Sequence, residues 1–170
     1  MRRIMIIGGP GSGKSTLAVQ LGARLNLPVY HMDQIHWQDG WVARDRAEKI
    51  RRARAIEAQD AWIFEGGVST TCAQRAVRAD MLVWLDLPVA SRLWRVIMRT
   101  FRYAGRNRLG LPNGCIERPN RHTLRFFRYI WRTRQSQRDK VAKLLIGPRQ
   151  CAKTVHLRSA AQVRDWLATI

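Results

Sequence analysis

Nine residues near the start of the chain have the types and the spacing of a phosphate-binding loop. They read Gly-Gly-Pro-Gly-Ser-Gly-Lys-Ser-Thr and contain the pattern Gly-x-x-x-x-Gly-Lys-Ser/Thr. The glycines let backbone N–H groups turn inward around a phosphate, the lysine can reach the outer phosphates, and the serine hydroxyl can ligate Mg²⁺. The sequence therefore predicts that a nucleoside triphosphate such as ATP binds, with Mg²⁺, at Gly8, Gly9, Pro10, Gly11, Ser12, Gly13, Lys14, Ser15 and Thr16.

An apolar run precedes this loop and a helical pattern follows it. Ile4-Met5-Ile6-Ile7 has the composition of a buried strand, and Leu17, Leu21 and Leu25 recur at four-residue spacing. A glycine-rich turn that only joins a strand to a helix is the alternative, but such a turn does not require Lys-Ser-Thr in this register. Strand, loop and helix in this order favour nucleotide binding.

Three acidic residues follow closely after predicted strands. Asp33, Glu65 and Asp86 come after Val29–His31, Trp62–Phe64 and Met81–Leu85. Since ligands bind at the carboxyl ends of parallel strands, these carboxylates are candidate site residues. We expect Asp33 to orient or deprotonate an acceptor hydroxyl, and Glu65 to hold Mg²⁺ together with Ser15. Asp86 is either a metal-side acid or the start of the next helix, and a solvated loop acid is the alternative for the other two.

Strands and helices alternate along the chain, which is typical of a parallel sheet with helices on both faces. We predict an α/β fold with a five-stranded parallel sheet, in a single domain over residues 1–170. Its core covers 1–91 and 147–170, and an arginine-rich helical lid region over 92–146 forms a hairpin inserted between the fourth and the fifth strand. The other predicted elements are a loop over 34–41, a helix from about Arg44 to Ala58, a short helix capped by Ser69 or Thr70, a long helix opened by Pro88, a loop over 105–120, a helix from Arg121 with a break near Arg134, and a strand at Thr154–Leu157.

Positive charge is concentrated in that hairpin. The chain has 31 Lys and Arg against 12 Asp and Glu, a net charge of +19, and 13 arginines with one acid, Glu117, lie between Arg92 and Arg138. Solvated helix faces usually mix both signs, so this segment predicts anionic partners. The arginines either surround the phosphates of a nucleotide or bind an RNA or DNA backbone without reading its sequence.

The composition is that of a soluble cytoplasmic protein. The three cysteines are widely scattered, as expected in a reducing compartment, and no apolar run approaches the ~18 residues that span a bilayer. The first strand begins close to Met1, so we expect no signal peptide and no membrane association.

Together, the phosphate loop, the strand end Ile63-Phe64-Glu65-Gly66 and the turn Leu85-Asp86-Leu87-Pro88 resemble the adenylate-kinase-like family of P-loop kinases. In that family two arginines, seven and eleven residues after the proline, contact ATP, and a lid then closes over the phosphates. The resemblance implies these catalytic and nucleotide-binding roles for Arg95 and Arg99, and it places the lid at 105–120.

The chain also resembles, within that family, a bacterial group known as DNA topology modulation proteins related to FlaR. The resemblance lies in Pro-Val-Tyr-His-Met-Asp-Gln-Ile-His-Trp at 28–37, Trp-Ile-Phe-Glu-Gly at 62–66 and Gly-Cys-Ile-Glu-Arg at 114–118. The chemistry of that group is poorly defined, so the resemblance implies a kinase-like protein and leaves the phosphate acceptor open.

Several further side chains are candidates for an acceptor site. His36, Trp37 and Trp41 either form a pocket whose aromatic rings stack on a base or a sugar, or anchor their loop to the core. Arg118 and Arg125 lie in and just after the expected lid, where arginines can reach a transferring phosphoryl group. Because His31 has no partner at metal-ligand spacing, we expect a core or surface role for it.

These observations predict ATP- and Mg²⁺-dependent phosphoryl transfer to a small-molecule or nucleotide acceptor. The alternative is a nucleic-acid-associated NTPase or regulator of DNA topology, which binds phosphate backbone through the arginine-rich hairpin.

Overall fold

A parallel β-sheet runs through the centre of the computed structural model, which describes residues 1–107, 110–117, 119–146 and 153–170. Within these residues the sheet has five strands, which are β1 (Arg3–Gly8), β2 (Val29–His31), β5 (Trp62–Gly66), β6 (Met81–Leu85) and β7 (Thr154–Leu157). Their spatial order is β2, β5, β1, β6, β7. All neighbouring pairs are parallel, which confirms the predicted α/β fold and its five-stranded sheet.

The connections between the strands are mainly helical. The helices are α1 (Lys14–Leu25), α2 (Met32–His36), α3 (Arg46–Glu57), α4 (Cys72–Arg78), α5 (Val89–Arg102), α6 (Arg121–Arg132), α7 (Arg134–Ile146) and α8 (Ala160–Ala168). None of the described helices is long and apolar enough to cross a membrane.

Helices cover both faces of the sheet, as predicted. Ile4 and Ile6 of β1 point to one face and pack in a core with Leu17 of α1 and Leu167 of α8. The alternate β1 side chains pack on the opposite face, against α3, α4 and α7, in a cluster that includes Met5, Ile7, Ala53, Ala76 and Val141. A strand with apolar side chains on both faces is buried on both, which explains the continuous apolar runs of β1 and β6.

Local signals set several helix ends. Asn26 adopts the left-handed conformation (φ 51°, ψ 47°) that ends α1. The Asp45 side chain accepts hydrogen bonds from the N–H groups of Ala47 and Glu48 and so caps α3. The predicted break near Arg134 is confirmed, because α6 ends at Arg132 and α7 begins at Arg134.

Two local predictions were wrong. The segment 34–41 is not a loop, because α2 extends to His36 and is followed by an antiparallel pair, β3 (Trp37–Gln38) and β4 (Val42–Ala43), around a 3₁₀ turn. Because Trp37 and Trp41 are candidates for an acceptor site, we call residues 37–43 the acceptor hairpin. The short helix α4 begins after Thr71, which makes no side-chain capping bond, rather than after Ser69 or Thr70. Propensity at these short segments is overridden by their packing against the rest of the chain.

A buried ion pair joins α4 to α3. Arg75 Nε lies 3.0 Å from Glu57 Oε1, and both side chains are almost fully buried. Arg75 Nη2 also donates to Thr71 Oγ1 at 2.9 Å, and its guanidinium lies 3.7 Å from the centre of the Phe64 ring. Removing one member of such a pair leaves an uncompensated buried charge.

We therefore predict that Arg75→Ala lowers the free energy of unfolding by about 3–5 kcal/mol, because Glu57 then stays buried without its cation. Chemical denaturation measures this difference. The control is Arg78→Ala, an exposed arginine on the same helix that donates one exposed hydrogen bond, to Ala58 O at 3.3 Å, and whose effect should stay within about 1 kcal/mol. Equal stabilities for the two variants would contradict the role of the buried pair.

A second ion pair holds the start of β1 against the start of β6. Asp80 accepts hydrogen bonds from the N–H groups of Arg2 and Arg3, at 2.7 and 3.0 Å, and from the Arg3 guanidinium at 2.8 Å. Partial burial alone would raise the pKa of Asp80, but these bonds outweigh it and lower the pKa from 3.8 to about 2. The ionised form of Asp80 therefore stabilises the folded state.

Because its folded-state pKa is depressed, Asp80 contributes stability above about pH 4 and loses it as the pH falls towards 2. We predict that Asp80→Asn is less stable than the parent chain by about 1 kcal/mol at pH 7, a value reduced for the partial exposure of the pair. Denaturation curves at several pH values should show the difference shrinking between pH 4 and pH 2. A difference independent of pH would show that the charge of Asp80 is not the cause.

Candidate functional site

A large cavity opens at the carboxyl end of the sheet, where the phosphate loop lies. Its volume is about 1690 Å³. It is lined by the phosphate loop, α1, α2, the acceptor hairpin, α3, the segment after β5, α5, α6 and residues of the segment 110–117. We call this segment the lid, because it lies where the resemblance places one. A single small ligand usually occupies a pocket of about 300–1,000 Å³. The cavity is therefore large enough for a nucleotide and a second molecule.

The phosphate loop follows β1 and turns back on itself before α1. Gly11 (φ 77°) and Gly13 (φ 93°) adopt left-handed conformations that favour glycine, and a Cβ atom at Gly11 would collide with the Arg92 carbonyl. The Lys14 ammonium donates to Gly9 O at 3.1 Å, across the loop. The glycines thus allow the loop backbone and the Lys14 side chain to approach each other closely at the start of α1. The N-terminus of a helix is a favourable place for binding a phosphate group.

Glu65, at the end of β5, lies beside the phosphate loop. Its Oε1 accepts a hydrogen bond from Ser15 Oγ at 3.0 Å and lies 2.7 Å from His31 Nδ1. Burial alone would raise the pKa of Glu65, but the His31 contact and the positive charge of Lys14 outweigh it, so the net shift is downward. The carboxylate is therefore ionised at neutral pH despite its burial.

The two oxygen donors at this point fit a magnesium ion. Ser15 Oγ and the Glu65 carboxylate are hard ligands that Mg²⁺ prefers, and Mg²⁺ in such sites keeps waters and phosphate oxygens as its other ligands. Among the described residues no group of three His, Cys, Asp or Glu side chains is placed to hold a metal without such help. This donor set therefore suits a metal that arrives with a nucleotide.

His31 is buried, which agrees with the expected core role, but its contact with Glu65 was not predicted from the sequence. It is 7% exposed and is paired with Glu65 in the register of β2 and β5, so both side chains leave the sheet at the same level. The lid covers it, since a Cβ atom at Gly110 would lie 3.3 Å from His31 Nδ1. The sequence indicates that His31 and Glu65 each lie at the end of a strand. Their contact could not be predicted from this alone, because it also requires knowing that the two strands are neighbours in the sheet.

Asp86 does not belong to this cavity. Its Oδ2 lies 2.9 Å from Arg138 Nη2 and 3.1 Å from His156 Nε2, and the side chain is 6% exposed. The His156 ring in turn stacks on Trp84, with ring centres 4.0 Å apart. Asp86 therefore connects the segment between β6 and α5 to α7 and β7. This favours a structural role for Asp86 over a role as a metal ligand.

Three of the four arginines of α5, namely Arg92, Arg95 and Arg99, lie at three different depths. Arg92 is buried beneath the phosphate loop, where its Nε donates to Leu87 O at 3.1 Å and burial lowers its pKa. Arg95 Nη1 lies 3.5 Å from Ser12 O, and Arg99 Nε lies 3.7 Å from Glu117 Oε1 in the lid. Arg95 and Arg99 both line the cavity. Arg92 therefore supports the loop, while the other two face the space for a ligand.

The expected acceptor residues divide into two groups. Asp33, His36, Trp37 and Trp41 line the same cavity as the phosphate loop. Arg125 is exposed on α6 and is not among the residues that line the cavity, so its role at the site stays a prediction. The prediction for Arg118 falls outside the described residues.

The lid lies against the acceptor hairpin. Trp41 Nε1 donates to Ile116 O at 3.1 Å, and Cys115 Sγ lies 3.3 Å from Gln38 O. Cys115 is fully buried at this contact. Trp41 adopts a positive φ of 64°, a backbone conformation that is rare for a bulky residue and that concentrates at functional sites. The hairpin and the lid together form one wall of the cavity.

Comparison with known proteins gives likenesses to kinases. No family model matches the chain. A shikimate kinase from Rhodococcus jostii (strain RHA1) is 26% identical over 114 residues, which cover 59% of this chain and 68% of the relative.

The similar solved structures share the whole fold at low sequence identity. A shikimate kinase from Acinetobacter baumannii in complex with shikimate has a TM-score of 0.58 and 15% identity, over 99% of this chain and 90% of that one. The shikimate kinase from Bacteroides thetaiotaomicron has a TM-score of 0.59 and 15% identity, over 99% and 95%. A deoxyadenosine kinase from M. mycoides with bound dATP has a TM-score of 0.55 and 12% identity, over 98% and 97%. These likenesses show that the chain has the α/β fold of the P-loop kinases.

Proposed function

We propose that this protein is a kinase that transfers the γ-phosphoryl group of ATP, with Mg²⁺, to a hydroxyl group of a small-molecule or nucleotide acceptor. The observation that carries the proposal is the contact of Ser15 Oγ with Glu65 Oε1 at 3.0 Å, next to Lys14 and on a cavity that Asp33 also lines. A metal-side carboxylate, a phosphate-binding lysine and an acceptor-side acid are the groups that phosphoryl transfer requires.

The nucleotide occupies the phosphate loop in this proposal. The backbone N–H groups of the loop and the Lys14 ammonium bind its phosphates, while Ser15 and Glu65 would hold Mg²⁺. When bound, Mg²⁺ supplies positive charge that offsets the charge of the phosphate oxygens. The contact from His31 fixes the orientation of the Glu65 carboxylate, since it lies 2.7 Å from the oxygen that Ser15 also contacts.

Asp33 and the α5 arginines act on the other side of the phosphates. Asp33 lies in the first turn of α2 on the cavity wall, where a carboxylate can orient an acceptor hydroxyl and accept its proton. Arg95 and Arg99 provide donors that stabilise negative charge on the transferring group. The lid, held against the acceptor hairpin, excludes water, which would otherwise compete as the acceptor.

We predict that Lys14→Ala lowers the turnover of ATP at least ~100-fold, because the phosphates lose their main side-chain cation. The measurement uses γ-labelled ATP and Mg²⁺ with a panel of nucleosides, nucleoside monophosphates, sugars and hydroxy acids. Lys140→Ala, an exposed lysine on α7, is the matched control and should retain the activity of the parent chain. Unchanged turnover in Lys14→Ala would refute the proposal.

The same assay distinguishes a kinase from the alternative function, a nucleic-acid-associated NTPase. Arg121, Arg125, Arg128 and Arg132 are exposed on α6, which has no acidic residue, so this face can bind a phosphate backbone. Label released only to water, and faster with added DNA or RNA, would favour a nucleic-acid-associated NTPase of the kind that the FlaR-related resemblance implies. Its affinity for nucleic acid would fall steeply with salt concentration.

Glu65 and Asp86 provide a test of the metal site. We predict that Glu65→Gln raises the Mg²⁺ concentration needed for half-maximal activity by about tenfold or more, because the amide is a neutral and weaker ligand. Asp86→Asn should leave that Mg²⁺ dependence unchanged and lower the free energy of unfolding by about 1–3 kcal/mol, because it weakens the contacts with Arg138 and His156. The reverse pattern would assign the metal to Asp86.

A further inference from the structure

A row of four arginines runs along the outer side of α6. They follow one another at spacings of four, three and four residues, which places them within about 60° of the helix circumference and over about 16 Å of its length. All four are exposed, and we call them the arginine row: Arg121, Arg125, Arg128 and Arg132. In the described part of the chain no carboxylate lies within ion-pair distance of any of them. The row therefore carries four positive charges that no acidic side chain neutralises.

The arginine row borders the cavity. His122, Phe126 and Tyr129 of α6 line the cavity, and each directly follows an arginine of the row in the sequence, so that it lies about 100° round the helix from that arginine. Helix α5 packs against α6 and contributes Arg95 and Arg102 to the same cavity. Positive charge therefore extends from the inside of the cavity to the outer side of α6.

The row is longer than a small anion. In the proposed function the phosphates of ATP already contact Lys14, Arg95 and Arg99, and a single carboxylate or phosphate could neutralise only one end of the row. Like charges one turn apart on a helix repel each other, and an extended polyanion offsets this repulsion along the whole row. Successive phosphates of one DNA strand are about 3.4 Å apart along the duplex axis, so about 16 Å of helix faces up to about five of them. The length of the row thus favours a nucleic acid strand.

Aromatic rings at the edge of the cavity add surfaces for bases. The rings of Phe126 and Tyr129 are nearly parallel, with an interplanar angle of 13° and ring centres 6.3 Å apart. Tyr129 is 46% exposed, and Trp94 of α5, which also lines the cavity, is 61% exposed. Unpaired bases stack on exposed aromatic side chains whatever their sequence. Rings beside a row of cations are typical of a surface that binds a single strand.

Two other occupants fit this surface less well. A helix that lies on a membrane has apolar side chains at the centre of its outward face. On α6 the arginines occupy that centre, and Leu124 and Trp131 lie about 70–90° to one side of it. A second copy of the chain would bring positive charge against positive charge, because the net charge is +19.

We infer that the phosphate acceptor is the terminal hydroxyl group of a single-stranded nucleic acid, whose backbone lies along the arginine row and whose last nucleotide enters the cavity. This inference rests on the proposed kinase function and names the class of its acceptor. The terminal oxygen forms a bond to the γ-phosphorus of ATP, while the bond from that phosphorus to the oxygen bridging to the β-phosphate breaks. ADP leaves with the bridging oxygen, and Asp33 accepts the proton of the hydroxyl group. The products are ADP and a strand with a phosphate at its end.

The first test measures binding without turnover. The anisotropy of strands of about ten nucleotides, DNA and RNA, labelled at an internal base, is followed with MgADP present and at salt concentrations from about 50 to 200 mM. We expect the logarithm of the affinity to fall linearly with the logarithm of the salt concentration. The triple variant Arg125→Gln/Arg128→Gln/Arg132→Gln should bind at least tenfold more weakly and reduce the slope by about 2, since each phosphate contact on a single strand contributes about 0.7.

The matched control is Arg51→Gln/Arg52→Gln/Arg54→Gln, which removes the same charge from exposed arginines of α3. It should retain the affinity of the parent chain for the strands, and both triple variants should retain the affinity for MgADP. Equal strand binding by the two triple variants would overturn the inference. Tighter binding to vesicles of anionic lipid than to either strand would also overturn it and assign the row to a membrane surface.

The second test locates the transferred phosphoryl group. Strands of one sequence carry a phosphate at the 3′ end only, at the 5′ end only, or at both ends, and each is incubated with γ-labelled ATP and Mg²⁺. We expect label on at least one of the first two strands and none on the third, and the labelled strand shows which terminal hydroxyl reacts. The α6 triple variant should raise KM for that strand tenfold or more and leave kcat unchanged, because the row binds the strand equally before and during the reaction.

The two tests separate this inference from the kinase function. Label on neither free end, together with transfer to a nucleoside, a sugar or a hydroxy acid, would overturn the inference and leave the kinase function in place. Absence of transfer to every acceptor, strands included, would refute both.

Discussion

A buried carboxylate destabilises a fold by several kcal/mol unless cations or hydrogen-bond donors surround it. Glu65 meets this condition through groups from two other elements, the imidazole of His31 on β2 and the hydroxyl and ammonium of Ser15 and Lys14 on α1. These groups come together because β5 lies between β1 and β2, with Glu65 level with both Ile6 and His31. The correct strand order is therefore a condition for a stable Glu65, and the phosphate loop, the lid above His31 and the acceptor wall all depend on that order.

Arginine serves several purposes in this chain, because the surroundings differ from one arginine to the next. On α5, Arg92 is buried under the phosphate loop, Arg95 lies at the loop surface and Arg99 faces the lid. On α4, Arg75 is a core residue that lies over the Phe64 ring. The high net charge of the chain is thus not a uniform property of its surface. Part of it stabilises the fold, part faces the cavity, and the exposed part on α6 remains available to other anions.

The sequence was sufficient for most of the features that depend on neighbouring residues, although it was not for the segment 34–41 or the start of α4. The strand and the helix that flank the phosphate loop, the apolar strands and the break near Arg134 follow from local patterns and were predicted correctly. The partners of Asp86 lie 52 and 70 residues away, and those of Glu65 lie 34 and 50 residues away, so their pairing needs the strand order and the helix positions. The face of α3 that lines the cavity was missed for the same reason, since charge alone does not show which side of a polar helix faces a cavity.

The contact between the lid and the acceptor hairpin also limits how this protein can evolve. Gly114 approaches Gly40 so closely that a Cβ atom there would lie 3.3 Å from the Gly40 nitrogen, and Trp41 and Cys115 complete the interface. A hairpin reshaped for a different ligand would no longer fit the lid that lies on it. A change of specificity in this fold therefore requires compensating substitutions on both sides of the interface, and residues 37–43 should vary together with 110–117 among its relatives rather than independently.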